Sequence, residues 1–305
     1  MTPSGQNFVF VITAHNVRPF LPPLVASLAG QRCHSWQAVF VDDASTDGTL
    51  ETLGSLLDAH ELAPKFQIVE NQVRRGKAFN AFHAVSGRGA ADDVMVMLDA
   101  DDYLANDDAL DRLAREYDQG WEVVWSNWRG TDGSRGSSGH LHPFLSPRRQ
   151  PFVSSHLFTF RRRLLAAVTE SDLQDDAGQW FAAGCDLAIA WPILDQTIKR
   201  KHIEEVLLVY NRGNPLSHDQ SGSRVRPLVS KSQAETAAAL SRRSGKPLIV
   251  DNEFLHAHLY ELLQAAAYSQ RLATRQQIAA AVASLQRSAT PAPSTGKPSP
   301  GKAAT

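Results

Sequence analysis

In Val94-Met-Val-Met-Leu-Asp-Ala-Asp-Asp-Tyr103, five apolar residues run without interruption into three carboxylates, Asp99, Asp101 and Asp102. A short continuous apolar run predicts a strand buried on both faces, as in a parallel sheet. Open α/β sheets bind ligands beyond the carboxyl ends of their strands, which is where these aspartates fall. Hard oxygen ligands suit Mg²⁺ or Mn²⁺, and Mg²⁺ is usually held by one or two carboxylates together with substrate phosphates. The expectation is a metal–diphosphate site at one edge of a parallel sheet. A calcium loop of EF-hand type is excluded, because the sixth position from Asp99 is Leu104 rather than Gly and the twelfth is Leu110 rather than Glu.

The segments before this stretch repeat its pattern. Residues 8–14 read as a first strand, followed by Thr13-Ala-His-Asn16, and Pro19 opens a helix with an apolar face at Phe20, Leu21, Leu24, Val25 and Leu28. Gln37–Val41 reads as a second strand ending at Asp42-Asp43. Ser45, Thr46 and Asp47 offer caps to the next helix. Phe66–Val69 is a third strand ending near Asn71, and Gly76–Ser86 a third helix. After the fourth strand, Val94–Leu98, Asn106 is the expected cap of a helix bearing Leu110, Leu113 and Tyr117, and Val123–Trp125 a fifth strand. This β-α alternation predicts a mostly parallel sheet with helices on both faces. Right-handed crossovers then bring Thr13–Asn16, Asp42–Asp43, Asn71 and Asp99–Asp101 to one edge. No G-x-G-x-x-G or P-loop links the first strand to its helix, so a metal rather than a glycine-rich nest is expected to hold phosphates.

The second half is less regular. Trp128–Gly139 reads as a Gly-, Ser- and Arg-rich loop, Phe152–Phe160 as a strand, and Arg161-Arg-Arg163 as the solvated start of a helix. His140 and His142, two apart with no third ligand nearby, do not make a metal site. In Ala183-Gly-Cys-Asp186, Asp186 opens an apolar helix, either as its cap or as a general base aimed into the cleft. His202–Val209 reads as a closing strand pair, followed by a polar segment, Asn211–Ser223. Residues 230–287 carry helical periodicity, and residues 289–305 the composition of a disordered tail. The expected division is 1–228, a catalytic α/β domain; 229–288, a C-terminal helical extension; and 289–305, the tail.

Composition excludes several classes. The chain has 305 residues, 43% of them hydrophobic and 21% charged, with a net charge of −1 that offers no field for capturing nucleic acid. No run is long enough for a membrane span or a signal peptide, and two cysteines, Cys33 and Cys185, make no disulfide framework. A cytoplasmic protein is the expectation. The C-terminal helices can pack on the main domain or lie on the inner face of a membrane; packing is favoured because dense Lys/Arg flanks are absent.

Taken together, Phe8–Asn16, Val41-Asp-Asp-Ala-Ser-Thr-Asp-Gly-Thr49, Asn71 with Gly76-Lys-Ala and Asn80, and Leu98-Asp-Ala-Asp-Asp102 resemble family 2 glycosyltransferases of GT-A fold over residues 7–215. The resemblance implies an inverting transfer of sugar from a nucleotide-diphosphate donor to a saccharide, lipid-linked or protein acceptor, in cell-surface polysaccharide or glycoconjugate synthesis, with Mn²⁺ or Mg²⁺. It implies that Asp43 meets the base, that Thr13, His15 (where the family usually has Tyr) and Asn16 line the nucleotide pocket, and that Arg75 and Lys77 lie near the nucleotide. Asp99 and Asp101 would be the metal motif, with Asp101 the direct ligand, and His218 a later element near the diphosphate. Gly184-Cys-Asp186 resembles the family's Glu-Asp motif with Cys185 in place of Glu, which carries Asp186 over as the base. Gln179-Trp180 lacks the arginine of the processive Gln-x-x-Arg-Trp element, implying one transfer per encounter. The alternatives are a degenerate sugar-nucleotide-binding protein that has lost its base, and a nucleotidyltransferase, against which the absence of a basic glycine-rich first loop weighs. Donor sugar, acceptor, linkage and oligomeric state are not encoded in these motifs.

Overall fold

The structure, a computed structural model, describes residues 5–136, 138–215, 226–249 and 251–271. Its centre is an eight-stranded sheet of order β3-β2-β1-β4-β7-β6-β8-β5. The first four long strands are those expected: β1 (Phe8–Ala14), β2 (Trp36–Asp42), β3 (Phe66–Glu70) and β4 (Val94–Asp99). They pair in parallel, and Thr13 lies in register with both Val41 and Asp99. Helices α1 (Leu21–Ala29), α2 (Thr49–Ala59), α3 (Lys77–Val85) and α4 (Ala109–Asp118) alternate with them. The N-cap of α2 is Gly48 (φ 84°) rather than the expected Ser45, Thr46 or Asp47, and Asp47 Oδ1 accepts from the Thr49 amide and hydroxyl beside it.

The sheet's two faces bury separate cores, with α1, α2 and α4 on one side and α3 with α5 (Cys185–Leu194) on the other. Strands β1 and β4 feed both cores, which is why their apolar runs show no alternation.

Four expectations in this region need correction. Asn106 does not cap α4: its Nδ2 donates to Val206 O, and Asp108 holds the cap position and pairs with Arg112. The fifth strand does not stop at Trp125, since β6 runs Val123–Gly130 and takes up the start of the expected loop. The strand expected over Phe152–Phe160 is the shorter β7 (Phe158–Arg161), antiparallel to both β4 and β6. The expected closing pair is one long strand, β8 (Arg200–Tyr210), parallel to β6 and antiparallel to the two-residue β5 (Tyr103–Leu104).

The reversal of β7 sends Arg161–Arg163 to the edge opposite the aspartates. Arg161 is buried there, donating to Gln6 Oε1 and to the carbonyls of Asp92 and Tyr117. Arg162 donates to Arg88 O, and Arg163 pairs with Asp92 and Glu122. The expected solvated basic group is thus a clamp on the far edge.

The C-terminal helices pack on the sheet domain. Leu240 of α6 (Arg226–Arg242) joins the α3/α5 core, while Phe254 of α7 (Asn252–Ala257) and Leu262 of a last helix over 259–271, α8, join the other. Arg148 anchors α6 from below: its Nε and Nη2 lie 2.8 and 2.7 Å from Asp195 Oδ2, and its Nη1 donates to Leu240 O. Among the described residues no helix is long and apolar enough to cross a membrane. The rest of the extension and the expected tail, residues 272–305, lie outside the described residues.

On β8, His202 is buried with its ring 4.8 Å from that of His140, while its Nε2 meets Asn127 Oδ1. Burial, aided by His140, pulls the His202 pKa down from 6.5 to about 3. Above pH 6.5 the imidazole is neutral folded or unfolded. Below it the unfolded chain binds the extra proton, so stability is lost as the pH falls from about 6.5 towards 3, by up to about 1.4 kcal/mol per unit. His202→Gln is expected to flatten that acid limb in thermal melts between pH 7.5 and 4.5; an unchanged slope would show that His202 is protonated in the fold.

Candidate functional site

The carboxyl ends of β1, β2, β4 and β8 and the amino end of β7 converge on one edge of the sheet. At β1, Asn16 adopts a left-handed conformation (φ 53°) and docks on the β2 loop: its amide donates to Ser45 Oγ and its Oδ1 accepts from Thr46 N. His15 Nδ1 lies 2.8 Å from Asp43 O.

Asp43 is 4% exposed and its carboxylate organises the next loop. Oδ1 accepts from Arg75 N at 2.7 Å and Asn71 Nδ2 at 3.0 Å, and Oδ2 from Gly76 N at 2.9 Å. Burial opposes its charge, but hydrogen bonds from the Arg75 amide, the Gly76 amide and Asn71 outweigh it and hold the carboxyl below its usual range. Asp43 thereby fixes the start of α3, which Gly76 enters at φ +87°. The Arg75 side chain turns outward over the Phe79 ring.

Lys77, the first residue of α3, places Nζ 2.8 Å from Asp99 Oδ2 and 2.8 Å from Asp186 Oδ1. Asp186 stands in the first turn of α5. Its N-cap, Gly184, is left-handed (φ 71°) and no side chain caps the helix, so Asp186 does not act as the cap. Cys185 points the other way: its buried Sγ donates to Phe181 O, and burial raises the thiol pKa to about 11. The replaced motif residue is a neutral part of the core, while Asp186 lines the pocket with Thr13, Lys77 and Asp99.

Asp99, Asp101 and Asp102 each offer an oxygen, all within 4.8 Å of one another. Burial, then the neighbouring carboxylates, push Asp101 up and Asp102 well up from the ordinary carboxylate range. Asp101 Oδ2 accepts from Asn214 Nδ2 and Asp102 Oδ1 from Asn211 N, whereas Asp102 Oδ2 is buried with no partner among the described residues. Crowded hard oxygens, one of them unsatisfied, suit a divalent cation.

Two groups were missed in the sequence. Ser154, Ser155 and His156 line the same pocket, because an antiparallel strand presents its amino end where its neighbours present their carboxyl ends. Asn211 and Asn214 follow β8, a strand whose direction the parallel pairing with β6 fixes, and the strand-end argument applied to β8 would have found them. His218 lies outside the described residues.

The sequence profile of glycosyl transferase family 2 matches residues 9–177, more than half of the chain, and spans β1 through β7. The chain belongs to glycosyl transferase family 2. No curated protein matches it. Among solved structures, the glycosyltransferase is similar to S. aureus TarS 1–349 in complex with UDP-GlcNAc, at 17% identity and TM-score 0.52, over 84% of this chain and 73% of that one. It is also similar to the mannosyltransferase PcManGT from Pyrobaculum calidifontis in complex with GDP-Man and Mn²⁺, at 20% identity and TM-score 0.56, over 93% and 81%. At these identities the likeness is one of fold, the GT-A fold with its mixed, mostly parallel sheet. In the family 2 glycosyltransferase, the profile's span holds all the residues of the site described above except Asp186, Ile189, Asn211 and Asn214.

Proposed function

We propose that this glycosyltransferase moves a sugar from a nucleotide-diphosphate donor to an acceptor hydroxyl, with inversion, in a metal-dependent and non-processive reaction. The observation that carries this reading is the placement of Asp186 and Asp99 on either side of Lys77 in one pocket, beside Asp101 and Asp102. Asp186 takes the proton of the acceptor hydroxyl as its oxygen attacks the anomeric carbon on the face opposite the diphosphate; such help is typically worth about 10²–10⁴-fold. Asp99, Asp101 and Asp102 would hold Mn²⁺ or Mg²⁺, which when bound neutralises charge growing on the leaving nucleoside diphosphate. Thr13, His15, Asn16, Asp43 and Arg75 would form the nucleotide side, Asp43 largely by holding the 71–76 loop in place.

The acceptor class is a saccharide, a lipid-linked sugar or a protein, in building a cell-surface polysaccharide or glycoconjugate at the cytoplasmic face of the membrane. Exposed Leu259, Tyr260 and Leu263 on α8 are where the helices would touch such a surface. In this division of labour residues 1–228 carry the chemistry, while α6 buttresses α5 and the last two helices brace the opposite face of the sheet.

The test is a thermal-shift panel of UDP-, GDP-, dTDP- and CMP-sugars with Mn²⁺, Mg²⁺ or EDTA. A ligand at a hundred times its Kd adds about 2.7 kcal/mol to the folded state, a visible change in Tm. One nucleotide is expected to give a metal-dependent shift that Asp101→Ala abolishes. A shift indifferent to EDTA would remove the metal from the proposal, and no shift with any donor on folded protein would overturn the donor site.

A further inference from the structure

Lys77 is unlike a cation waiting for a phosphate. Its ammonium is only partly exposed and already meets two carboxylates from two different elements, Asp99 at the end of β4 and Asp186 at the start of α5, each at 2.8 Å. The two oxygens can therefore stand no further apart than twice that distance. The lysine's own backbone is pinned as well, because the amides of Arg75 and Gly76 immediately before it both donate to Asp43. Helix α3 also packs directly on α5. To reach a diphosphate, this side chain would have to give up two ion pairs at once.

We propose that Lys77 is a positioning residue: it fixes the distance between the metal-side carboxylate and the base, and the orientation of Asp186, rather than serving as a ligand of the donor phosphates. The inference rests on the reading of Asp186 as the base. With Oδ1 held by the ammonium, the plane of the Asp186 carboxylate is fixed, and that carboxylate receives the acceptor proton. The acceptor oxygen's electron pair forms the new bond to the anomeric carbon as the bond to the diphosphate breaks, its electron pair leaving with the diphosphate. Lys77 keeps its protons throughout.

The experiment compares wild type, Lys77→Met, Lys77→Arg and Asp186→Asn in calorimetric titrations with Mn²⁺ alone and with UDP or GDP in Mn²⁺. It adds turnover of whichever nucleotide sugar gives the thermal shift. Lys77→Met is expected to bind Mn²⁺ as tightly as wild type or up to about tenfold tighter, since a cation beside Asp99 is gone. It should hold the nucleoside diphosphate within about threefold of wild type while kcat falls at least about thirtyfold, the pattern of a lost transition-state contribution. Lys77→Arg keeps the charge with a different reach, and should recover part of that kcat at unchanged nucleotide affinity. A loss of about tenfold or more in UDP or GDP affinity, lost Mn²⁺ binding, or a kcat within about threefold of wild type would each overturn the inference. If Lys77→Met does not fold, Lys77→Arg decides: reduced kcat with intact nucleotide binding supports positioning, and wild-type kcat overturns it. Unchanged turnover in Asp186→Asn would instead remove the base assignment, and the Mn²⁺ and nucleotide titrations would still decide whether Lys77 is a phosphate ligand.

Discussion

Asp186→Asn is expected to lower sugar transfer by about two to four orders of magnitude, the usual worth of a general base, while leaving nucleotide binding nearly intact. The amide is isosteric but takes no proton at neutral pH. Its ion pair with Lys77 is lost, yet Gly184 and the packed length of α5 still deliver residue 186 to the same place. The check is kcat at saturating donor, alongside the donor's thermal shift. A variant with wild-type turnover would show that another group accepts the proton. A variant that loses the shift along with turnover would mean that Asp186 belongs to the donor site.

Arg148→Ala should destabilise the fold by about 3–5 kcal/mol. Arg148 and Asp195 have side chains only 4% and 3% exposed, and removing the guanidinium leaves a buried carboxylate without its cation, held by the Lys246 amide. Leu240 O at the end of α6 loses one of its two donors in the same step, keeping the Arg243 amide. Spread over a chain of this size, that is a fall of roughly 5–8 °C in Tm. Replacing both partners, as Arg148→Met with Asp195→Leu, should recover most of the loss, because an apolar pair of similar volume is often neutral or better. Melts of the three variants check this, and a loss below about 1 kcal/mol in Arg148→Ala would mean that water reaches Asp195.

The first half of the fold was legible because its signals agree. Four apolar runs each stop at polar residues, and parallel crossovers have one hand, so Thr13, Asp43 and Asp99 could be placed on a common edge before any coordinates. The second half was not, because an apolar run carries no mark of direction. Read as one more forward strand, Phe158–Arg161 hides Ser154–His156 from the site and leaves Arg161 looking like surface, when it is a buried clamp on the far edge. The contest among Asn106, Asp107 and Asp108 for the start of α4 was likewise beyond local pattern, since Asn106 is claimed by Val206 O, a hundred residues on. Asp186 shows the complementary case. Local pattern favours a cap over a base, and the left-handed N-cap at Gly184, with no side chain capping α5, removes that reading.

The pairing of β5 with β8, and of Asp101 and Asp102 with Asn214 and Asn211, has a consequence in time. A ribosome making about 5–20 residues per second delivers the acidic cluster roughly 5–20 s before the asparagines that complete it. During that interval β1–β4 are present and able to pair, yet the aspartates crowd one another without their partners. The nascent chain thus has its parallel strands long before its acidic cluster is complete, and a chain released before residue 211 would carry that cluster with Lys77 on Asp99 but without the hydrogen bonds from Asn214 and Asn211.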